Sequence, residues 1–65
     1  MARIEREVVA SGVIGQFNNK WSVHRLTDKK NDSECYNLYI NEEYIDYYSS
    51  VAKALYELAE QFISD

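Results

Sequence analysis

Proline is absent from this chain of 65 residues, glycine occurs only at positions 12 and 15, and cysteine and histidine occur once each, as Cys35 and His24. Each scarcity excludes something. Without prolines, repeats or a Gly/Ser-rich stretch there is nothing to act as a linker. A chain this short also buries only roughly 60% of the surface its unfolded form would expose, so residues 1–65 are expected to form a single domain around one core. A lone cysteine cannot close an internal disulfide, and one Cys with one His lacks the spacing of a structural zinc site. Neither glycine precedes a helix at the spacing of a phosphate-binding loop. No apolar run approaches the roughly 18 residues of a membrane span. Residues 1–7 carry acids where a secretory signal would be hydrophobic, so the expected location is the cytoplasm, with Cys35 as a reduced thiol.

Catalytic constellations are equally scarce. A nucleophile needs a positioned base, and His24 is the only histidine, set between Val23 and Arg25 without a suitably spaced carboxylate. Cys35 reads as a small half-buried hydrophobe beside Tyr36. Glu42 and Glu43 are adjacent in a turn, where carboxylates point into solvent rather than converge on a substrate. The expectation is a binding protein, not an enzyme, with no catalytic residues, no metal and no cofactor.

What is abundant is aromatic and acidic. Hydrophobic residues make up 46% of the chain, and six are tyrosine, enough for a compact fold. The net charge of −4 is unevenly spread. Residues 1–30 hold six basic groups (Arg3, Arg6, Lys20, Arg25, Lys29, Lys30) against three acids. Residues 31–65 hold eight acids, Asp65 among them, against Lys53 alone. Such a split gives the surface potential a direction.

Hydrophobic periodicity divides the chain into strands followed by a helix. Residues 4–10 and 13–17 are rich in β-branched and aromatic types, with a bend or bulge expected at Ser11 and Gly12, as one long strand or two. Asn18, Asn19 and Lys20 supply a tight turn. Residues 21–27 form the next strand and 28–33 a polar loop. Tyr36, Leu38 and Ile40 alternate with Asn37 and Tyr39 in a further strand. After a turn at residues 41–43, residues 44–48 form the last strand, with Ile45 and Tyr47 expected inward. The period then changes to 3.6: Val51, Leu55, Leu58 and Phe62 define a helical stripe, widened by Ala54, Ala59 and Ile63, and Ser49 or Ser50 caps its start. The expected fold is α+β: an antiparallel sheet of three to four strands with one C-terminal helix packed on one face.

Two surface constellations follow. The first combines Asp32, Glu34, Glu42, Glu43 and Asp46 with Tyr36, Tyr39, Tyr44, Tyr47 and Tyr48, and no basic residue occurs from position 31 to position 52. With Tyr36 and Tyr47 inward, Tyr39, Tyr44, Asp46 and Tyr48 fall on the solvent side. The expected protein-binding set is Glu34, Tyr39, Glu42, Glu43, Tyr44, Asp46 and Tyr48, facing a partner protein with a basic surface. The second constellation is Lys20, Trp21, Arg25, Lys29 and Lys30, near His24, a set able to follow a phosphate backbone; nucleic acid is the alternative partner. An aromatic outer face also admits self-association, leaving monomer and homodimer open, and no membrane is expected.

The segment of residues 41–62, with its run from Tyr44 to Ser50 leading into Ala52, Ala54, Leu55 and Ala59, resembles the last strand and helix of small sheet-plus-helix proteins of phages and mobile elements. With Gly12, Val13, Lys20 and Trp21 upstream, the order over residues 12–62 is similar to the ethylene-response-factor DNA-binding domain and to the arm-binding domain of some tyrosine recombinases. In those families the sheet presents arginines to the major groove; here the later strand carries Glu43 and Asp46. The phage-type resemblance implies an accessory or inhibitor protein, of the kind that includes anti-CRISPR proteins, acting by occluding a nucleic-acid-handling surface of a host enzyme.

Overall fold

The computed structural model describes residues 4–63, the side chain of Ile63 excepted; Arg3 and Asp65, counted above among the charges, lie outside it. Four strands run β1 (Ile4–Ile14), β2 (Asn19–Asp28), β3 (Ser33–Ile40) and β4 (Glu43–Tyr48), followed by α1 (Val51–Ile63). The strands form one antiparallel sheet in the order β1-β2-β3-β4, a meander in which every neighbour in sequence is a neighbour in space. This is the expected α+β architecture, with all four strands present.

The turns explain the meander. Asn41 and Glu42 both adopt positive φ, 53° and 68°, the backbone of a two-residue hairpin whose twist matches that of its strands. Asn41 ties this turn to β2: its N–H donates to the Lys20 carbonyl at 2.6 Å, and its Oδ1 accepts from the Lys20 N–H at 3.1 Å. Between β1 and β2 the chain reverses over residues 15–18. Gly15 lies at φ 82° and Asn18 at φ 56°, and the Asn18 N–H donates to the Gly15 carbonyl. Phe17, expected in a strand, is therefore at the turn tip and 79% exposed. Between β2 and β3, the Asp28 carboxylate accepts from the backbone of Lys30 and Asn31 and from the Asn31 side chain, an Asx-type closure.

One row of side chains faces the helix. Val23, Leu38, Ile40, Ala54 and Leu58 are buried, and Val9, Ala10, Ile14, Trp21, Tyr36, Ile45, Tyr48, Val51 and Phe62 pack around them. On α1 the buried stripe is Val51, Ala54, Leu58 and Phe62. Leu55, expected in the stripe, lies at its margin and is exposed, while Ala54 beside it is fully buried. Ser50 starts the helix: its Oγ accepts from the Lys53 N–H at 3.1 Å.

Two bulges set which residues share a face. The first lies at residues 8–10 of β1, not at Ser11 and Gly12. Gly12 is instead a point of close approach, since a Cβ there would stand 3.0 Å from the Trp21 ring. The second bulge lies in β4, where Leu38 pairs with Asp46 but Tyr39 pairs with Tyr44, leaving Ile45 as the additional residue. It reverses the expected alternation. Ile45 and Tyr48 pack on the core, whereas Tyr47, expected inward, is 64% exposed on the other face.

Candidate functional site: the uncovered sheet face

α1 docks on β3 and β4 from one side, and no described element covers the opposite side of the sheet. The register identifies what stands there. Across the middle of the sheet, Val8, His24, Asn37 and Tyr47 lie side by side. One step toward the Asn41 turn comes the row Ser11, Ser22, Tyr39 and Tyr44, followed by Val13 beside Lys20. One step the other way lie Arg6, Leu26 and Cys35, then Ile4 and Asp28. Because direct partners in an antiparallel pair project to the same side, these rows form one continuous face.

Its centre is aromatic. The Tyr39 ring lies 4.6 Å from His24 and 5.8 Å from Tyr44, the latter edge-on. The His24 Nε2 is 3.0 Å from the Ser22 Oγ, and an Arg6 N–H donates to the Tyr39 hydroxyl at 3.5 Å. The His24 Nδ1 is enclosed without a hydrogen-bond partner. Burial, reinforced by the positive charge of Arg6, holds this imidazole below its ordinary pKa. At the far end Ile4, Leu26 and Cys35, together with Asp28, Ser33 and Glu34, line a cleft of about 220 Å³.

Burial, followed by the charge of Asp46, pushes the hydroxyls of Tyr44 and Tyr48 above the usual phenol range. Both are neutral donors at physiological pH. Asp46 itself stands at the bulge on the β4 edge, its carboxylate accepting from the Tyr47 N–H at 2.7 Å.

The expected acidic tyrosine surface is thus divided by the fold. Tyr39 and Tyr44 share the open face, but Tyr48 packs on the helix side, and Tyr47 takes the outward place assigned to it. Glu34 pairs with Thr27 and Glu43 with Ile40, which puts both in the helix-side rows. Asp32 and Glu42 lie in turns at opposite ends of β3, separated by the ~26 Å that eight strand residues span. The acids adjacent in sequence do not surround the tyrosines. The ionic groups on the face are Arg6 and Lys20 against Asp28; Asp46, expected on the solvent side with Tyr39 and Tyr44, pairs with Leu38 and so falls in a helix-side row at the sheet edge.

The basic set is divided as well. Trp21 packs on the core, Arg25 bonds to Glu7 on the helix side, and Lys29 pairs with Glu5 at 2.9 Å. The hydrogen bond and charge of Glu7 raise the Arg25 pKa further. Lys20 lies at one end of β2, with Lys29 and Lys30 beyond the other.

No group of three or more metal-binding side chains converges among the described residues, and no helix among them is long and apolar enough to cross a membrane. Val8, Val13, Arg6 and His24 belong to the face but were missed as a set from sequence; the only signal was their alternation with β1 and β2 core residues. In comparisons with known proteins, the chain matches no family model, no curated protein and no solved structure.

Proposed function

We propose that the protein is a binding module that docks another protein on the uncovered face of its sheet, centred on Tyr39, Tyr44, Tyr47, Val8 and His24. One observation carries this reading: the single helix satisfies one side of the sheet, and the other side retains a contiguous patch of large side chains. Tyr47 is 64% exposed, Val8 55% and Tyr44 49%. Charge is sparse at the centre of the patch and aromatic area is high, the composition of an interface core rather than of ordinary surface. Tyrosine gives contact area with few rotatable bonds, which lowers the entropy lost on docking.

The mode of action is steric. A rigid sheet laid over another protein blocks whatever that surface does, as the phage-type resemblance implies for a small accessory or inhibitor protein. The electrostatic match differs from that expected from sequence. With Glu34 and Glu43 in the helix-side rows and Asp32 and Glu42 in the end turns, the face offers Arg6 and Lys20 as well as Asp28, so a basic partner gains little from it. Nucleic acid is disfavoured because two of the five candidate residues are ion-paired and Trp21 packs on the core.

The test compares the wild-type chain with the triple variant Tyr39→Ser, Tyr44→Ser, Tyr47→Ser as bait in a lysate of the source cells. A protein retained by the wild type and lost by the variant, with circular dichroism unchanged, is the expected result. Identical captures overturn the reading. Salt-dependent retardation of an oligonucleotide, abolished in the same variant, would replace protein by nucleic acid as the ligand.

A further inference from the structure

The open face has two unlike ends. At the Asn41 end stand the aromatic pair Tyr39 and Tyr44 and the cation Lys20. At the other end lie the cleft that Ile4, Leu26 and Cys35 line and the anion Asp28. Lys20 and Asp28 are eight residues apart on β2, about 26 Å, and His24 lies midway between them. The face therefore carries a protrusion and a recess, and a positive and a negative group, at equal distances from its centre. Such a surface is complementary to itself when turned end for end.

We propose that the open face is occupied by a second copy of this chain, related by a two-fold axis lying between the two sheets, across the strands at His24. This rests on the reading of the face given above and names its occupant. The operation lays β2 antiparallel over β2 of the second copy, the aligned packing that two twisted sheets adopt. Lys20 then faces Asp28 of the second copy, and the reciprocal pair forms at the other end. Tyr39 then lies over Cys35 of the second copy, on the cleft that Leu26 also lines, with Tyr44 beside it at the sheet edge. Val8 meets its own symmetry mate. The Asp28 carboxylate is already fixed by Lys30 and Asn31, so little freedom is lost when it receives the lysine.

Charge agrees with this occupant. Carboxylates at Glu43, Glu57 and Glu60 lie in the helix-side rows or on α1, and of the acids only Asp28 and Glu34 border the cleft, so two chains of net charge −4 meet through their less acidic side.

Sedimentation velocity from micromolar to millimolar protein, combined with the rate of Cys35 modification by a small disulfide reagent, tests the proposal. A dimer is expected to form with rising concentration, and Cys35 to lose reactivity in parallel, because the cleft it lines is filled. Lys20→Glu sets a carboxylate against Asp28 at two symmetric places and is expected to weaken the dimer about tenfold. Tyr39→Ser with Tyr44→Ser is expected to give a monomer with a fast-reacting thiol and an unchanged circular dichroism spectrum. A dimer in which Cys35 reacts at the same rate as in the monomer, or one indifferent to Lys20→Glu, overturns the proposed packing. A wild-type monomer at millimolar concentration overturns the second copy as occupant. If the tyrosine variant still loses a captured protein, the face remains a docking surface with a different ligand; identical captures together with a wild-type monomer at millimolar concentration overturn both conclusions.

Discussion

Leu38 and Val23 are fully buried, neighbours on adjacent strands, and together they form the floor on which Ala54 and Leu58 rest. Truncating Leu38 to Ala removes buried methyl groups and leaves a cavity, which costs ~2–5 kcal/mol. A chain of this size has little stability to lose, so Leu38→Ala is expected to be largely unfolded by urea melting at 25 °C. Tyr47→Ser, at an exposed position on the opposite face, is expected to leave the urea midpoint nearly unchanged. A destabilised Tyr47→Ser would mean that this ring is part of the core. His24 gives the residue-scale dependence on pH. Its folded pKa lies below the unfolded value of about 6.5, so the folded state favours the neutral ring. As pH falls through 6.5 the unfolded chain takes up the proton first, and stability present above that pH is lost down to the folded pKa. The expected observations are a His24 resonance titrating below 6.5 and a melting temperature that falls more steeply between pH 7 and 5 in wild type than in His24→Gln. A resonance titrating above 6.5 contradicts the assignment.

At the scale of elements, the strands after Lys20 and the helix were legible in the sequence because each has a local cause, whereas the order of strands in the sheet was not, and the first turn, expected at residues 18–20, lies at residues 15–18 with Asn19 and Lys20 already in β2. Alternation at Tyr36, Leu38 and Ile40 requires a half-buried strand, and the change of period at Val51 requires a helix. The faces of β4 were not legible. Tyr44, Ile45, Tyr47 and Tyr48 are all good strand formers, and nothing in their order announces a bulge opposite Leu38 and Tyr39. One additional residue exchanges the sides of Tyr47 and Tyr48, and with them one of the three tyrosines expected on the solvent side. Glu42 illustrates a second limit. It stood out as a carboxylate beside another carboxylate, yet its position is determined by the hairpin, where it holds φ at 68°. A non-glycine residue there costs ~1–2 kcal/mol, partly offset in a glycine variant by chain entropy of ~0.5–1 kcal/mol. Glu42→Gly is expected to raise the melting temperature by a few degrees without reducing capture of a partner. Loss of capture would assign Glu42 a direct contact.

For the whole molecule, the charge asymmetry read along the chain is not an asymmetry across the binding face. The meander distributes the acids and tyrosines of residues 31–48 between sides and ends, and within residues 1–30 Glu7 pairs with Arg25 and Glu5 with Lys29, so two of the basic groups are matched by their own half. Sequence adjacency overstated both constellations because a strand sends successive side chains to opposite faces. What survives is shape: one helix, one covered side, one open side. Tyrosines on both sides make the claim measurable. Tyr56 lies on α1 and is 58% exposed, close to the 64% of Tyr47 and the 49% of Tyr44, so the three start from comparable accessibility. Hydroxyl-radical footprinting of the free chain and of the chain bound to its partner or to its second copy compares them directly. Protection of Tyr39, Tyr44 and Tyr47 with Tyr56 unchanged is the expected pattern; protection of Tyr56 with the three sheet tyrosines still reactive would contradict the account.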